Sequence, residues 1–155
     1  MRIIVFGDIH GAIENLVKLK PEIESSDMVV FVGDGAKSLK VLDNKTRTRI
    51  LAVRGNCDFF SGFPHEVLHD GIYITHGHQH DVKESLNAIK SAAKAKGAKI
   101  CFFGHNHKPL HSTDFGIVFV NPGTLGDVRT SAPGQYAIVT INDDGKITVK
   151  HDTVM

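Results

Sequence analysis

The sequence has little of what several enzyme classes depend on. Its only two cysteines, Cys57 and Cys101, lie far apart and form neither a CxxC pair nor a disulfide framework. Cys101 falls in an apolar run and reads as a small buried residue, and a reducing compartment fits. No apolar run approaches the length of a membrane span. The opening Arg2-Ile3-Ile4-Val5-Phe6 meets glycine and aspartate too soon for a signal peptide, so a cytoplasmic location is expected and the Asn44-Lys45-Thr46 sequon is discounted. Charge is nearly balanced, 18 basic against 17 acidic residues, a formal +1. There is thus no overall basic footprint for nucleic acid or an anionic membrane. Also missing are a GxSxG nucleophile elbow, a GxxxxGKS/T phosphate loop, HExxH and GxGxxG.

What is present is ordinary in bulk. At 155 residues, 41% hydrophobic and 23% charged, the chain reads as one globular domain spanning residues 1–155. Short β-branched apolar runs predict strands at Arg2–Phe6, Met28–Val32, Ile50–Arg54, Ile72–His76, Lys99–Phe103 and Ile117–Asn121. Gln135–Ile141 and Lys146–Lys150 flank Asn142-Asp143-Asp144-Gly145 and predict a hairpin; His65–Leu68 before Asp70-Gly71 predicts another. Ile13, Leu16, Val17 and Lys20 share a helical face that Pro21 is expected to end. Val82, Leu86, Ile89 and Ala93 mark a longer helix with Gly97 at its C-terminal cap, and Leu39 with Leu42 a shorter one. The order of elements argues for a mixed α/β sandwich with sheets inside and helices outside.

Histidine, at 10 copies, is the compositional oddity. Five of the strands run into a glycine beside an Asp, Asn or His: Gly7-Asp8-Ile9-His10-Gly11, Gly33-Asp34-Gly35, Gly55-Asn56-Cys57-Asp58, His76-Gly77-His78 and Gly104-His105-Asn106-His107. In α/β sheets ligands bind at the carboxyl ends of strands, and glycine lets backbone and ligand approach closely. Asp8, His10, Asp34, Asn56, His76, His105 and His107 make seven donors. That is too many for one catalytic ion and suits two ions sharing a carboxylate. A mixed nitrogen and oxygen set without thiolates favours Mn, Fe, Zn, Ni or Co over Mg or Ca.

Other features carry less. His65, His69, His111 and His151 have no matching neighbours and read as surface or strand residues. His78 and His80 flank the fourth motif as loop residues or substrate contacts. Lys37, Lys40, Lys45, Arg47 and Arg49 form a solvated face or a guide for an anionic substrate. The loop-like stretch from Asn121 to Arg129 has the length to reach the site, and Arg129 is a candidate phosphate clamp.

The ordered set GDIHG, GDG, GNCD, THGH and GHNH, with Asn121-Pro122-Gly123-Thr124, resembles the calcineurin-like metallophosphoesterases, and within them the small bacterial and archaeal phosphodiesterases. The resemblance covers nearly the whole chain. It implies a four-layer αββα sandwich. One divalent transition metal would take Asp8, His10 and His107 and the other Asn56, His76 and His105, with Asp34 bridging; manganese stands first, with Ni, Fe, Zn or Co as alternatives. It also implies hydrolysis of a small phosphodiester or phosphomonoester by a metal-activated hydroxide. Asp34, Asn56 and His76 would carry catalysis, and Asn56, Cys57 and Arg129 would contact substrate. Asp58 and the backbone near His78 would orient the histidine ligands.

Two departures qualify the resemblance. Larger relatives place a histidine, a proposed general acid, where this chain has Cys57, and a thiol suits that role poorly. Esters with good leaving groups are therefore expected to react fastest. The short GDG motif also lacks the acidic and arginine residues of protein phosphatases. Two other functions stay open: a metal-holding interaction module of the retromer-subunit type, and a nuclease or dinucleoside polyphosphate hydrolase. Nothing in the residues argues against a homo-oligomer.

Overall fold

A computed structural model describes residues 1–155. The first sheet is built from β1 (Arg2–Phe6), β3 (Met28–Phe31) and β4 (Ile50–Ala52), which run parallel. It is extended by the hairpin of β11 (Gln135–Ile141) and β12 (Ile147–Thr153), giving the order β12-β11-β1-β3-β4. The second sheet has β6 (Ile72–Thr75), β7 (Ile100–Phe102) and β9 (Ile117–Asn121) parallel at its centre. The antiparallel edge strands β5 (Glu66–His69) and β8 (Leu110–Asp114) close it. A two-residue parallel pair joins β2 (Ile9–His10) to β10 (Gly126–Asp127).

Strand alternation explains the layering. Ile3, Val5, Val30 and Val32 face Ile74, Ile100, Phe102 and Val120 between the sheets. Their neighbours Ile4, Phe6, Val29 and Phe31 face outward and are covered by Leu16, Leu19 and Ile23 of α1 (Ile13–Glu24). On the far side Ile89 and Ala93 of α3 (Asn87–Ala95) cover Tyr73, Cys101, Phe103 and Phe119. Helix, sheet, sheet and helix therefore stack in four layers, as expected.

The structure departs from the sequence reading in several places, among them Ile13 and Val17, which are exposed and do not lie on the buried face of α1. Pro21 does not end α1, which continues to Glu24. The ring removes one hydrogen bond on an exposed face, while Ile23, fully buried two residues on, holds the last turn to the sheet. The second long helix begins at Asn87; Val82 lies in a preceding turn where Asp81 is left-handed, although it still packs with Ile89. Leu39 lies in a 3-10 turn, Ala36–Val41, that Leu42 ends, and a single helical turn, α2 (Asn44–Arg47), follows. Strand β8 was not expected at all. Arg49, from the basic run, donates to the carbonyls of Ile23 and Ser26 at the end of α1.

Candidate metal centre

Parallel strands put the residues that follow them at one edge of the sandwich. Asp8 follows β1, Asp34 follows β3, Asn56 follows β4, His76 follows β6, and His105 and His107 follow β7. Asp8, Asp34, His105 and His107 all have positive φ, between 50° and 74°. That region is uncommon for residues other than glycine, and such strain collects at functional sites. The glycines have a steric reason. A Cβ on Gly104 would lie 2.6 Å from Asp8 Oδ2, and one on Gly55 would overlap the Asp34 carboxylate.

Two donor groups result. Asp8, His10 and His107 offer one atom each within 4.8 Å of one another, and so do Asp34, His76 and His105. In the first group the Nε2 atoms of His10 and His107 are 3.2 Å apart, and His107 Nε2 is 3.3 Å from Asp8 Oδ1. In the second, His76 Nε2 is 3.3 Å from Asp34 Oδ2 and 3.1 Å from Asn56 Oδ1. The same nitrogen lies 3.8 Å from Asp8 Oδ1, so the groups adjoin.

The donor chemistry fits divalent cations. Asp8 Oδ1 is fully buried and has no hydrogen-bond partner. A buried carboxylate oxygen left unpaired among imidazole nitrogens is costly unless a cation satisfies it. His76, wholly buried, places Nδ1 2.7 Å from the Val32 carbonyl. That partner requires Nδ1 to carry the proton, which frees the Nε2 lone pair for a metal. Burial opposes charge on His76, but hydrogen bonding to Asp34 and the charges of Asp8 and Asp34 push its pKa up. Burial likewise opposes ionisation of Asp34, yet His76 and the Cys57 amide hold its pKa at about 2. The carboxylates thus create a field that favours positive charge.

The site is held by residues whose task the sequence reading missed or misassigned. Asp58 accepts the N–H groups of Asp34, Gly35, Ala36 and Gly55 at 2.8–2.9 Å. It clasps the Asp34 loop to the Asn56 loop; it does not orient a histidine, since His76 is fixed by Val32. Asn121 Nδ2 donates to Asn106 Oδ1 at 2.8 Å and to the Gly104 carbonyl at 3.4 Å, steadying the His105 loop. Thr124 Oγ1 donates to the Asp8 carbonyl at 2.7 Å. Asn121-Pro122-Gly123-Thr124 was the available signal for this bracing, but nothing in it named the partners.

The remaining candidates divide. His78 joins the cluster, its ring 5.4 Å from that of His76 and 6.1 Å from that of His105. His151 instead contacts the Asn121 carbonyl at 2.7 Å. Cys57 is exposed beside Asn56, and burial of its thiol with the nearby Asp34 charge raises its pKa, which keeps it a thiol. Arg129 is exposed and its guanidinium is taken up by Asp127, whose strand pairs with His10.

Comparison with known proteins places the chain in a family. The calcineurin-like phosphoesterase superfamily domain matches residues 1–144. The probable metallophosphoesterase YsnB of Bacillus subtilis is 30% identical over 149 residues, covering 93% of this chain and 86% of that protein. Phosphodiesterase YfcE of Escherichia coli is 24% identical, covering 95% and 96%. The structure of Vps29 of Entamoeba histolytica complexed with zinc superposes with a TM-score of 0.74 at 21% identity, covers both chains completely, and shares the fold. The chain belongs to the calcineurin-like phosphoesterase superfamily.

Proposed function

We propose that this protein is a phosphodiesterase that hydrolyses small phosphodiesters with the help of two divalent transition metal ions. Two adjoining donor groups, with Asn56 beside the second and Asp8 Oδ1 buried without a hydrogen-bond partner, carry the reading. Asp8, His10 and His107 would hold one ion, Asn56, His76 and His105 the other, and Asp34 would be shared. When bound, such ions supply a water acidified toward neutral pH and positive charge for the phosphoryl oxygens. The donor set suits Mn, Fe, Zn, Ni or Co, and manganese stands first by resemblance to the family.

The chain's own groups then have defined tasks. His76 is locked by Val32, so its Nε2 meets its partners without rotating. Asn56 offers its carbonyl to the metal side and keeps Nδ2, now turned to Cys57 Sγ at 3.5 Å, for a phosphoryl oxygen. Cys57 stands beside the substrate as a neutral thiol. Arg129 reaches a phosphate only by leaving Asp127. The name of YfcE supports a diester over a monoester, and the nearly balanced charge supports a small substrate over a nucleic acid.

The test is to strip the protein with a chelator and assay bis(p-nitrophenyl) phosphate and p-nitrophenyl phosphate with no metal, then with Mn, Ni, Zn or Mg. Restoration by a transition metal with the diester preferred supports the proposal. Bound ions without turnover would favour a metal-holding interaction module, a reading that the Vps29-like fold keeps in view.

A further inference from the structure

We propose that the cleft beside the metal centre seats a planar aromatic group of the substrate, a nucleobase, so that the physiological ester is a nucleotide. The inference rests on the phosphoester reading, which puts the phosphoryl group at the metal ligands. The cleft has a volume of about 630 Å³, within the range of small-ligand sites. It opens at the centre itself, since His10 and Cys57 form one wall. Phe59 and Phe60 form another, and they are 75% and 101% exposed. They are the only pair adjacent in sequence among the exposed large hydrophobic residues.

The fold gives no reason for these rings. Phe60 has φ of 62°, a strained conformation for a bulky side chain, and presents its ring wholly to solvent. The loop that carries it is anchored at both ends, by the Asp58 clasp before it and by Phe63 after it, whose ring packs 6.5 Å from Phe31. Two exposed rings on a fixed loop make a stacking platform, and a nucleobase has the matching π-face. Lys37 and Lys40 line the same cleft. They supply positive charge for a ring acceptor or a further phosphate while the overall charge stays near neutral.

The experiment measures binding as well as turnover. Adenosine 5′-monophosphate and ribose 5-phosphate share sugar and phosphate and differ in the base. Each would be titrated calorimetrically into the manganese-loaded protein, in wild type and in the double variant Phe59→Ala/Phe60→Ala. The variant is expected to fold because both rings are exposed. The nucleotide should bind at least tenfold more tightly to wild type, about 1.4 kcal/mol, which lies within what base–aromatic stacking contributes. The gap should fall below threefold in the variant. Equal binding to wild type, or a gap that survives in the variant, overturns the assignment. Hydrolysis of bis(p-nitrophenyl) phosphate is read on the same preparations. Hydrolysis without a gap removes the cleft assignment alone; a gap without hydrolysis leaves the cleft as a nucleotide site and removes the phosphodiesterase reading.

Discussion

Asp58 bears no metal in this account, yet Asp58→Asn should damage both the fold and the site. Its carboxylate, 7% exposed, serves four backbone donors, two per oxygen. Asparagine keeps one oxygen and sets an amide NH2 against the other two N–H groups. Hydrogen bonds to a charged acceptor contribute about 1.5–3 kcal/mol each, and a stranded buried donor costs a similar amount. Losing two of the four therefore destabilises the protein by about 3–6 kcal/mol. For a chain of this size that lowers Tm by roughly 6–24 °C. The clasp also fixes the backbone of Asp34, so affinity for metal should fall about 10–100-fold, as is usual when a residue supporting a ligand is changed. Thermal unfolding of metal-free protein and calorimetric titration with manganese separate the two effects. A variant within 1 kcal/mol of wild type and with unaltered metal affinity would refute the clasp, where about 1 kcal/mol is the ordinary cost of a point mutation.

Three further outcomes are expected. Manganese at a hundred times its Kd should stabilise wild type by about 2.7 kcal/mol per site and raise Tm; Asp34→Asn should lose most of that rise and most hydrolysis, as followed by scanning fluorimetry and the diester assay. Gly104→Ala puts a methyl group against Asp8 Oδ2 and should weaken metal binding, read by the same titration. Glu66 is held below the usual carboxylate range by the Tyr73 hydroxyl, 2.6 Å away, and then by Lys96. Its contribution is present above the unfolded-state pKa and is lost as pH falls through the folded one. The stability gap between wild type and Glu66→Gln in urea should therefore be constant near pH 7 and close below about pH 4.

Much of the site was legible because its signals are local. A strand that ends in glycine beside Asp, Asn or His announces itself within a few residues, and parallel pairing then gathers such ends without further information. Turn chemistry was legible only where the usual residues stand. Asp70-Gly71 and Phe115-Gly116 both have two consecutive positive φ values, the mark of a tight hairpin turn. The first is legible in the sequence and the second is not, because phenylalanine seldom takes the left-handed region. Strand β8 was lost with it, its Leu-His-Ser-Thr-Asp being too polar to stand out from a loop. Pro21 misled because its cost depends on Ile23, a tertiary contact. The site groups that Asp58, Asn121 and Thr124 brace lie 15 to 116 residues away, apart from Gly55, three residues off. Such contacts leave no local pattern.

The central claim is one site that binds two ions and hydrolyses a diester with them. The most direct measurement is to titrate manganese into metal-free protein while recording both heat and the hydrolysis of bis(p-nitrophenyl) phosphate. Two equivalents should bind, and turnover should rise with the second. Saturation of binding and turnover at one equivalent, or two bound ions with no hydrolysis, would contradict the claim.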